Sequence, residues 1–257
     1  MTPIFLYPAD YFKPRLPDAQ FQTEAKALEN AGFQVQVWNG QVFSPNTPIR
    51  ALYRGWMLSL KDYQNLYAQW AKAGVLPLTS PEQYGLCHYL PNWYPLLSEW
   101  TPETVRIKTP EELPEILESL NWDSYFLKDD VKSLNTGNGS HVKTLAEAQE
   151  WVREMKQFKG RIEGGICIRR WESWLPESEV RWFIWKGKAF SPQSETEIPP
   201  PLEKVLQEIA APFFSVDLIQ NSLGEWRIVE LGDGQVSDLK NWSPERFADI
   251  FREPDLV

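Results

Sequence analysis

Apolar positions in the first third of the chain alternate between strand-like and helix-like spacing. Short apolar or alternating runs predict strands, and apolar faces at helical spacing predict helices. The strands are predicted at 3–7, 33–38, 51–56 and 75–78, and the helices at 18–30 and 61–73. This order predicts a small parallel sheet with helices on its faces. Functional groups gather at the carboxyl ends of such strands, so Arg54 is a candidate anion contact, with a structural salt bridge as the alternative.

The rest of the chain combines helices with β-hairpins. Helices are predicted at 110–120, 145–158, 202–210 and 245–251, and strands at 166–171, 213–219 and 226–231. Residues 178–189 predict a hairpin that turns at Lys186-Gly187. The stretch 101–108 is interpreted as a connection between two domains. The aromatic-rich stretch 80–100 is interpreted as core, with a substrate wall as the alternative.

The most informative stretch is the predicted hairpin of residues 213–235. With its turn at Leu223-Gly224, Asp217 lies directly opposite Glu230. Opposed residues in an antiparallel pair have Cβ atoms about 4.5–5.5 Å apart, so the two carboxylates repel each other unless a cation lies between them. Mg²⁺ binds one or two carboxylates together with phosphate oxygens. Asp217 interrupts an apolar strand, which favours a metal site over the alternative of a solvent-facing hairpin.

Two further stretches carry groups suited to a phosphate ligand. A strand contains Lys128, Lys132 follows it, and the next loop includes Gly139. Glycines let backbone N–H groups approach phosphate oxygens, and lysines add positive charge. The spacing is not that of a P-loop, and a plain hairpin is the alternative. Glu179 and Arg181 share one face of a strand, where they either pair with each other or bind a ribose and a phosphate.

Composition excludes several classes of protein. The chain has 257 residues, of which 24% are charged and 42% apolar, as in ordinary globular proteins. Its net charge of -9 argues against general nucleic-acid affinity. Cys87 and Cys167 lie far apart and form neither a disulfide framework nor a zinc signature, which favours a reducing compartment. Without a secretion signal or a long apolar stretch, we expect a cytoplasmic protein that does not enter the membrane.

Taken in order, these elements resemble the ATP-grasp superfamily. The strings YRGWM, FLKDDVKS and VELGDGQVSDL most resemble its clade named for an arginine and two lysines. The resemblance covers residues 106–240 and implies an α/β plus α+β fold. A small Rossmann-like N-terminal (pre-ATP-grasp) domain over 1–105 would precede an ATP-grasp core over 106–257. The two α+β subdomains of that core would span 106–165 and 166–257.

The same resemblance implies that ATP lies between the two subdomains. The implied contacts are Lys128, Lys132, Gly139 and Ser140 for the phosphates, the backbone at Arg170 and Trp171 for adenine, and Glu179 for the ribose. The implied catalytic residues are Arg181, which would offset charge on the transferred phosphoryl group, together with Lys132, and Arg54, whose guanidinium suits a substrate carboxylate.

The resemblance also assigns Mg²⁺ to Asp217 and Glu230. Family members commonly have an Asn two positions after the second acid, where this chain has Gly232. Asp233 or Gln235 is therefore the candidate for the third metal contact.

The implied reaction is that of an ATP- and Mg²⁺-dependent ligase. It would activate a carboxylate as an acyl phosphate for attack by an amine or thiol, and needs no histidine or cysteine. The expected substrate is a small molecule or peptide with a carboxylate and an amine, without nucleic-acid or membrane partners. A small-molecule kinase on the same scaffold is one alternative. A nucleotide-binding interaction protein without turnover is the other, favoured by Gly232.

Overall fold

The structure is a computed structural model that describes residues 3–40, 45–131, 140–159, 162–193 and 196–252, with the backbone alone at 158 and 159. The predicted phosphate contacts Lys132 and Gly139 lie outside these residues. The strands are β1 (Ile4–Pro8), β2 (Val35–Trp38), β3 (Ile49–Tyr53), β4 (Val75–Pro77), β5 (Thr104–Ile107), β6 (Tyr125–Asp129), β7 (His141–Val142), β8 (Ile166–Arg170), β9 (Trp174–Trp185), β10 (Lys188–Phe190), β11 (Phe213–Asn221) and β12 (Trp226–Asp233). The α-helices are α1 (Gln22–Asn30), α2 (Leu60–Lys72), α3 (Pro81–His88), α4 (Leu90–Leu97), α5 (Leu113–Leu120), α6 (Leu145–Lys159), α7 (Pro200–Gln207) and α8 (Pro244–Asp249). None of the helices in the described ranges is long and apolar enough to cross a membrane.

Contacts within the chain divide it into two compact units. Unit 1 comprises 1–87, 180–216 and 232–257, and unit 2 comprises 88–179 and 217–231. Each unit contains one cysteine, Cys87 in unit 1 and Cys167 in unit 2, and both are buried and free of disulfides. The domain boundaries expected from the sequence stay a prediction.

Unit 1 contains a parallel four-stranded sheet of order β2-β1-β3-β4. Strand β1 is fully apolar and lies in the middle of the order, between β2 and β3. Helix α1 follows a 3-10 turn that Asp18 caps by accepting a hydrogen bond from the backbone N–H of Gln20. The predicted parallel sheet is confirmed. So is core packing in the aromatic-rich stretch, because Tyr84 and Trp93, one in each unit, are buried.

Unit 2 contains a sheet of order β5-β8-β6-β7, in which the neighbours are antiparallel. One face of this sheet packs against α5 and α6 through residues such as Leu127, Ile168 and Trp151. The stretch 101–108, interpreted as a connection between two domains, contains β5, a strand that the sequence interpretation did not predict. The alternation of Val105 and Ile107 with polar residues is strand-like, and β5 pairs with β8 at the edge of the sheet.

A third sheet has the order β10-β9-β11-β12, and residues of its last three strands are divided between the units. The β11–β12 turn differs from the predicted two-residue turn. Gly224 N donates to Asn221 O, and Asn221 N donates to Glu225 O, both at 2.9 Å, so the loop contains three residues. The left-handed φ of Gly224 (79°) fits the last loop position of such a turn.

The three-residue loop alone would shift the predicted hairpin register by one residue. At the other end of the hairpin, Gly234 N donates to Phe213 O at 3.2 Å. Between these two ends the segment 225–234 has one residue more than the segment 213–221, so the hairpin has one extra residue on the side of β12, as in a β-bulge. Beyond the bulge the register is the one predicted, and the direct pairing of Asp217 with Glu230 stays a prediction.

Candidate functional site

One face of the unit 2 sheet carries polar and cationic side chains. Lys128 pairs with Cys167 and Phe126 with Arg169, so these four side chains project from the same face of β6 and β8. The intervening residues, such as Leu127, pack into the core on the other face. We call the face with Lys128 and Arg169 the site face.

Lys128 is the predicted phosphate contact that the structure describes best. Its side chain is 4% exposed, and its Nζ lies 3.6 Å from Oε2 of Glu230. Burial lowers the pKa of Lys128, the charge of Glu230 raises it, and the nearby charge of Arg169 lowers it further. The structure thus brings together one predicted phosphate ligand and one predicted metal ligand.

Arg169 adds a second buried cation to the site face. Its Nη1 donates to the carbonyl of Val229 at 2.8 Å, and its Nη2 donates to Oγ1 of Thr101 at 2.5 Å. Its Nε is buried and has no hydrogen-bond partner among the residues that the structure describes. Burial lowers the pKa of Arg169 to about 10. Two buried cations beside Glu230 leave this region suited to an anionic ligand such as a phosphate chain.

A cavity of about 150 Å³ opens beside Arg169. It is lined by Pro102, Phe126, Arg169, Arg170, Trp171, Glu172 and Trp174. The rings of Phe126 and Trp171 are nearly parallel, with centroids 6.5 Å apart and an interplanar angle of 29°. Flat aromatic walls and an unpaired donor nearby suit a nucleobase, which presents a π-face and ring acceptors.

Asp217 and Glu230 supply the oxygen donors that a hard cation needs. Asp217 is buried and Glu230 is half-buried. No group of three or more His, Cys, Asp or Glu side chains in the described ranges is arranged to hold a metal ion. Two carboxylates supplemented by phosphate oxygens are nevertheless the usual ligand set of Mg²⁺ in nucleotide sites, so the donor chemistry fits that ion.

The other predicted ATP contacts of unit 2 have varied surroundings. The backbone N–H of Arg170 donates to Glu103 O and that of Trp171 to Ser124 O, so adenine could meet only the carbonyls there. Trp171 contributes its side chain to the cavity instead. Glu179 is exposed. The hydroxyl of Ser140 is buried and accepts a hydrogen bond from Nε1 of Trp151 at 3.3 Å.

Arg181 belongs to unit 1 and is buried. Its Nη1 donates to both the carbonyl and the carboxylate of Asp238, at 2.9 and 2.5 Å. The carboxylate of Asp238 is largely exposed, so Arg181 has an anionic partner at the surface. Glu179, which the sequence suggested as a possible ion-pair partner of Arg181, also lies on β9, but in the part of this strand that belongs to unit 2.

Arg54 forms the structural salt bridge that the sequence left open. It is 1% exposed, and its Nε and Nη2 bind both carboxylate oxygens of Glu24 at 2.7 and 2.6 Å. Its Nη1 donates to the carbonyls of Gly234 and Ser237. The guanidinium also lies over the ring of Phe247 at 4.6 Å. With four hydrogen bonds already made, Arg54 holds the loop after β12 against α1.

Comparison with known proteins identifies the family. Residues 98–250, more than half of the chain, match the model of the ATP-grasp domain of the arginine-and-two-lysines clade, family 3. The chain belongs to this ATP-grasp family. None of the curated proteins compared with it matches its sequence. The predicted family and fold class are confirmed.

Solved ATP-grasp structures share the fold at low sequence identity. The RimK domain protein ATP-grasp from Sphaerobacter thermophilus DSM 20745 has 15% identity and a TM-score of 0.64, with 96% of this chain and 98% of that chain covered. D-cycloserine synthetase DcsG has 12% identity and a TM-score of 0.65, with 97% and 99% covered. Macrocyclase MdnC, bound with precursor peptide MdnA from Microcystis aeruginosa MRC, has 12% identity and a TM-score of 0.59, with 97% and 99% covered.

Gly232, where ATP-grasp proteins commonly have Asn, is enclosed by two serines. A Cβ at this position would lie 2.8 Å from Oγ of Ser237 and 3.0 Å from Oγ of Ser215. These hydroxyls are 2.7 Å apart, and Ser237 also donates to the carbonyl of Asp233. A side chain at 232 would require Ser237 to turn away and lose these bonds. An Asn at position 232 would therefore fit only if the side chains around it were rearranged.

Asp233, predicted as the replacement metal ligand, is completely buried in unit 1. Its Oδ1 accepts hydrogen bonds from the backbone N and from Nε2 of Gln235, both at 3.0 Å, whereas Oδ2 has no hydrogen-bond partner within the described part of the chain. Burial raises the pKa of Asp233 to about 7 against the opposing effects of Gln235 and Arg54. Nε2 of Gln235 also donates to the hydroxyl of Tyr63 at 3.0 Å, which links the loop to α2.

We expect Asp233→Asn to flatten the pH dependence of stability. The folded-state pKa is raised above the ordinary 3.8, so ionisation of Asp233 makes folding less favourable as the pH rises from about 4 to about 7. Each pKa unit corresponds to roughly 1.4 kcal/mol. Urea unfolding at pH 5 and pH 8 measures the effect. The wild type should lose more stability between the two pH values than the variant, and exposed Asp123→Asn should behave as the wild type.

The sequence interpretation missed Arg169 and Thr101. The signal for Arg169 was present, because antiparallel pairing of β6 with β8 puts alternate residues 167 and 169 on the face of Lys128. Finding it required the strand register, which the sequence alone did not supply. Thr101 was passed over because its stretch was interpreted as a connection.

Proposed function

We propose that this ATP-grasp protein is an ATP- and Mg²⁺-dependent ligase. A substrate carboxylate oxygen attacks the γ-phosphorus, the bond to the β–γ bridging oxygen breaks, and ADP leaves. An amine or thiol then attacks the carbonyl carbon of the acyl phosphate, loses its proton and expels inorganic phosphate. Such chemistry asks the protein mainly for positioning and charge neutralisation.

The pairing of Lys128 with Glu230 carries this proposal. Together with Arg169 it puts two buried cations and a carboxylate next to a cavity with aromatic walls. A nucleotide needs the same combination: a stacking surface for the base, cations for the phosphates and acids for Mg²⁺. When bound, Mg²⁺ would neutralise charge on the β- and γ-phosphates, held by Glu230 and Asp217.

The remaining roles follow the family resemblance. We assign Lys132, Gly139 and Ser140 to the phosphates, Glu179 to the ribose and Arg181 to the transferred phosphoryl group. The proposed domains are 1–105 and 106–257. We leave Arg54 and Asp233 out of the proposed site, because the first is saturated by hydrogen bonds and the second is buried in a loop network.

The substrate class we propose is a small molecule or peptide that offers a carboxylate and an amine. Among the similar structures, ligase PsnB and macrocyclase MdnC are complexed with precursor peptides, and DcsG is a D-cycloserine synthetase. PsnB is also described with Mg and ADP. These substrates differ widely, so an acceptor screen should contain both free amino acids and short acidic peptides.

The deciding experiment is ADP release from Mg-ATP against that screen. We expect ADP and free phosphate to appear in equal amounts, and only when a carboxylate and a nucleophile are both present. Phosphate retained on the acceptor would instead indicate a kinase. Melting curves that are identical with and without Mg-ATP would exclude every nucleotide-dependent function.

Gly232 favours a second candidate, a nucleotide-binding interaction protein without turnover. It would bind Mg-ATP and show a raised melting temperature, yet release no ADP with any acceptor. The thermal shift and the ADP assay together separate the two candidates, because only the ligase gives a positive result in both.

We expect Trp171→Ala to weaken ATP binding more than it slows turnover. Stacking of one base on an aromatic side chain contributes roughly 1–3 kcal/mol, so the KM for ATP should rise by about 5- to 150-fold. Isothermal titration with ADP measures the same loss directly. The matched control is Trp56→Ala, which removes a similarly exposed tryptophan of unit 1. Equal effects of both substitutions would exclude the cavity as the base site.

A further inference from the structure

Two consecutive carbonyls of β12 are bound by side chains of unit 2. Thr101 Oγ1 donates to Ile228 O at 2.8 Å, and Arg169 Nη1 donates to Val229 O at 2.8 Å. The two side chains are themselves joined, because Arg169 Nη2 donates to Thr101 Oγ1 at 2.5 Å. We call Arg169 and Thr101 the carbonyl clamp. In a regular strand, consecutive carbonyls point to opposite edges, so this contact marks an irregular position.

The alternation of buried and less buried residues along β12 is interrupted at the same position. Ile228 and Leu231 are buried, whereas Val229 and Glu230 between them are half-buried. A period of two would give Ile228 and Glu230 the same environment. We infer from these two irregularities that the extra residue of the hairpin lies at 228–230, where the carbonyl clamp binds.

The bulge decides where Glu230 points. Counted from the three-residue loop without a bulge, Val229 would lie opposite Asp217 and Glu230 would turn to the other face. With one extra residue before it, Glu230 would take the predicted place opposite Asp217. The observed distance of 3.6 Å between Glu230 and Lys128 shows that Glu230 does reach the site face.

We propose that Arg169 and Thr101 are positioning residues that hold the β12 bulge and thereby aim the carboxylate of Glu230 at the Mg²⁺-nucleotide site. This inference rests on the proposed function, since that function gives Glu230 its metal. Neither side chain has to touch the metal or the reacting atoms for this role. Residues behind metal ligands typically change metal affinity by about 10- to 100-fold.

The chemistry of the clamp explains its residue types. The planar guanidinium of Arg169 donates in two directions at once, which a lysine ammonium on a flexible stem does not reproduce with the same geometry. The hydroxyl of Thr101 accepts a hydrogen bond from Arg169 and donates one to Ile228 O. Removing that hydroxyl leaves a buried carbonyl and a guanidinium N–H without partners.

The test compares Thr101→Val with Thr101→Ser. Valine keeps the shape of threonine and removes the hydroxyl, whereas serine keeps the hydroxyl. Mn²⁺ binding in the presence of ADP is titrated by electron paramagnetic resonance, and ADP binding without metal is titrated by calorimetry. We expect Thr101→Val to weaken Mn²⁺ binding by about tenfold or more and to leave metal-free ADP binding within about twofold. Thr101→Ser should resemble the wild type in both titrations.

Hydrogen exchange gives a readout that needs no metal. The peptide spanning β12 should exchange faster in nucleotide-free Thr101→Val than in Thr101→Ser. Should Thr101→Val not fold, Thr101→Ala, which also removes the hydroxyl, enters the same comparison with the same expected split. Unchanged Mn²⁺ binding in the variants, or an equal loss of ADP binding with and without metal, overturns the positioning role. A wild-type protein that binds no Mn²⁺ with ADP overturns the proposed function itself.

Discussion

Replacement of Glu230 by glutamine is expected to abolish Mg²⁺-dependent ADP release and to remove the Mg²⁺ dependence of the thermal shift with ATP. The substitution removes a charged metal ligand and also the carboxylate 3.6 Å from buried Lys128. Loss of one electrostatic contact to a transferring group typically reduces turnover by about 10²–10³-fold. Asp217→Asn should act in the same direction. ADP release and melting curves over a range of Mg²⁺ concentrations measure both effects.

The matched control is Glu225→Gln, which makes the same exchange in the loop of the same hairpin. Glu225 is exposed, and its carboxylate accepts a hydrogen bond from Nδ2 of Asn221 in the same loop. It should therefore leave turnover and the Mg²⁺ dependence unchanged. If Glu230→Gln kept the Mg²⁺ dependence of the wild type, the proposed metal site would be wrong, and the Lys128–Glu230 pair would be structural.

Of the single substitutions proposed for this protein, Glu24→Gln is expected to cause the largest loss of stability. It strips the buried guanidinium of Arg54 of its carboxylate partner, and removing one member of a buried ion pair typically costs about 3–5 kcal/mol. In a protein of this size, that loss lowers the melting temperature by roughly 10 °C. Differential scanning calorimetry without nucleotide measures it. Arg54→Met should destabilise to a similar extent.

Two comparisons make this result specific. Lys26→Ala breaks an exposed ion pair with Glu29 on the same helix and should cost no more than about 0.5 kcal/mol. The double variant Glu24→Met/Arg54→Met removes both charges and should recover part of the lost stability. An Arg54→Met protein with a normal melting temperature but no carboxylate-dependent ADP release would make Arg54 a substrate contact instead.

The sequence was most informative where one local stretch of chain contains the whole signal for an element. The run of β-forming residues that contains Asp217 and the strand that contains Lys128 were both predicted, and both elements form. The N-terminal parallel sheet followed in the same way from alternating strands and helices. In each case a single stretch of chain contained the whole signal.

Features that depend on two distant stretches were not predicted. Arg169 lies beside Lys128 because β8 pairs with β6. Thr101 contacts β12 because its loop passes close to Ile228. The partner of Arg54, Glu24, lies on α1, and nothing local distinguishes that glutamate from its exposed neighbours. The bulge escaped prediction because no local pattern marks an extra residue in a strand, and the turn length was misjudged by one.

The reactivity of the two buried cysteines can be used to measure local unfolding of the protein. Cys87 lies in unit 1 and Cys167 in unit 2, each inaccessible to solvent and with a pKa raised by burial. A thiol-alkylating reagent can reach either sulfur only after the surrounding unit loosens. Mass spectrometry of the two labelled peptides would then give separate opening rates for each half of the molecule in one time course. A nucleotide that tightens unit 2 would slow the labelling of Cys167.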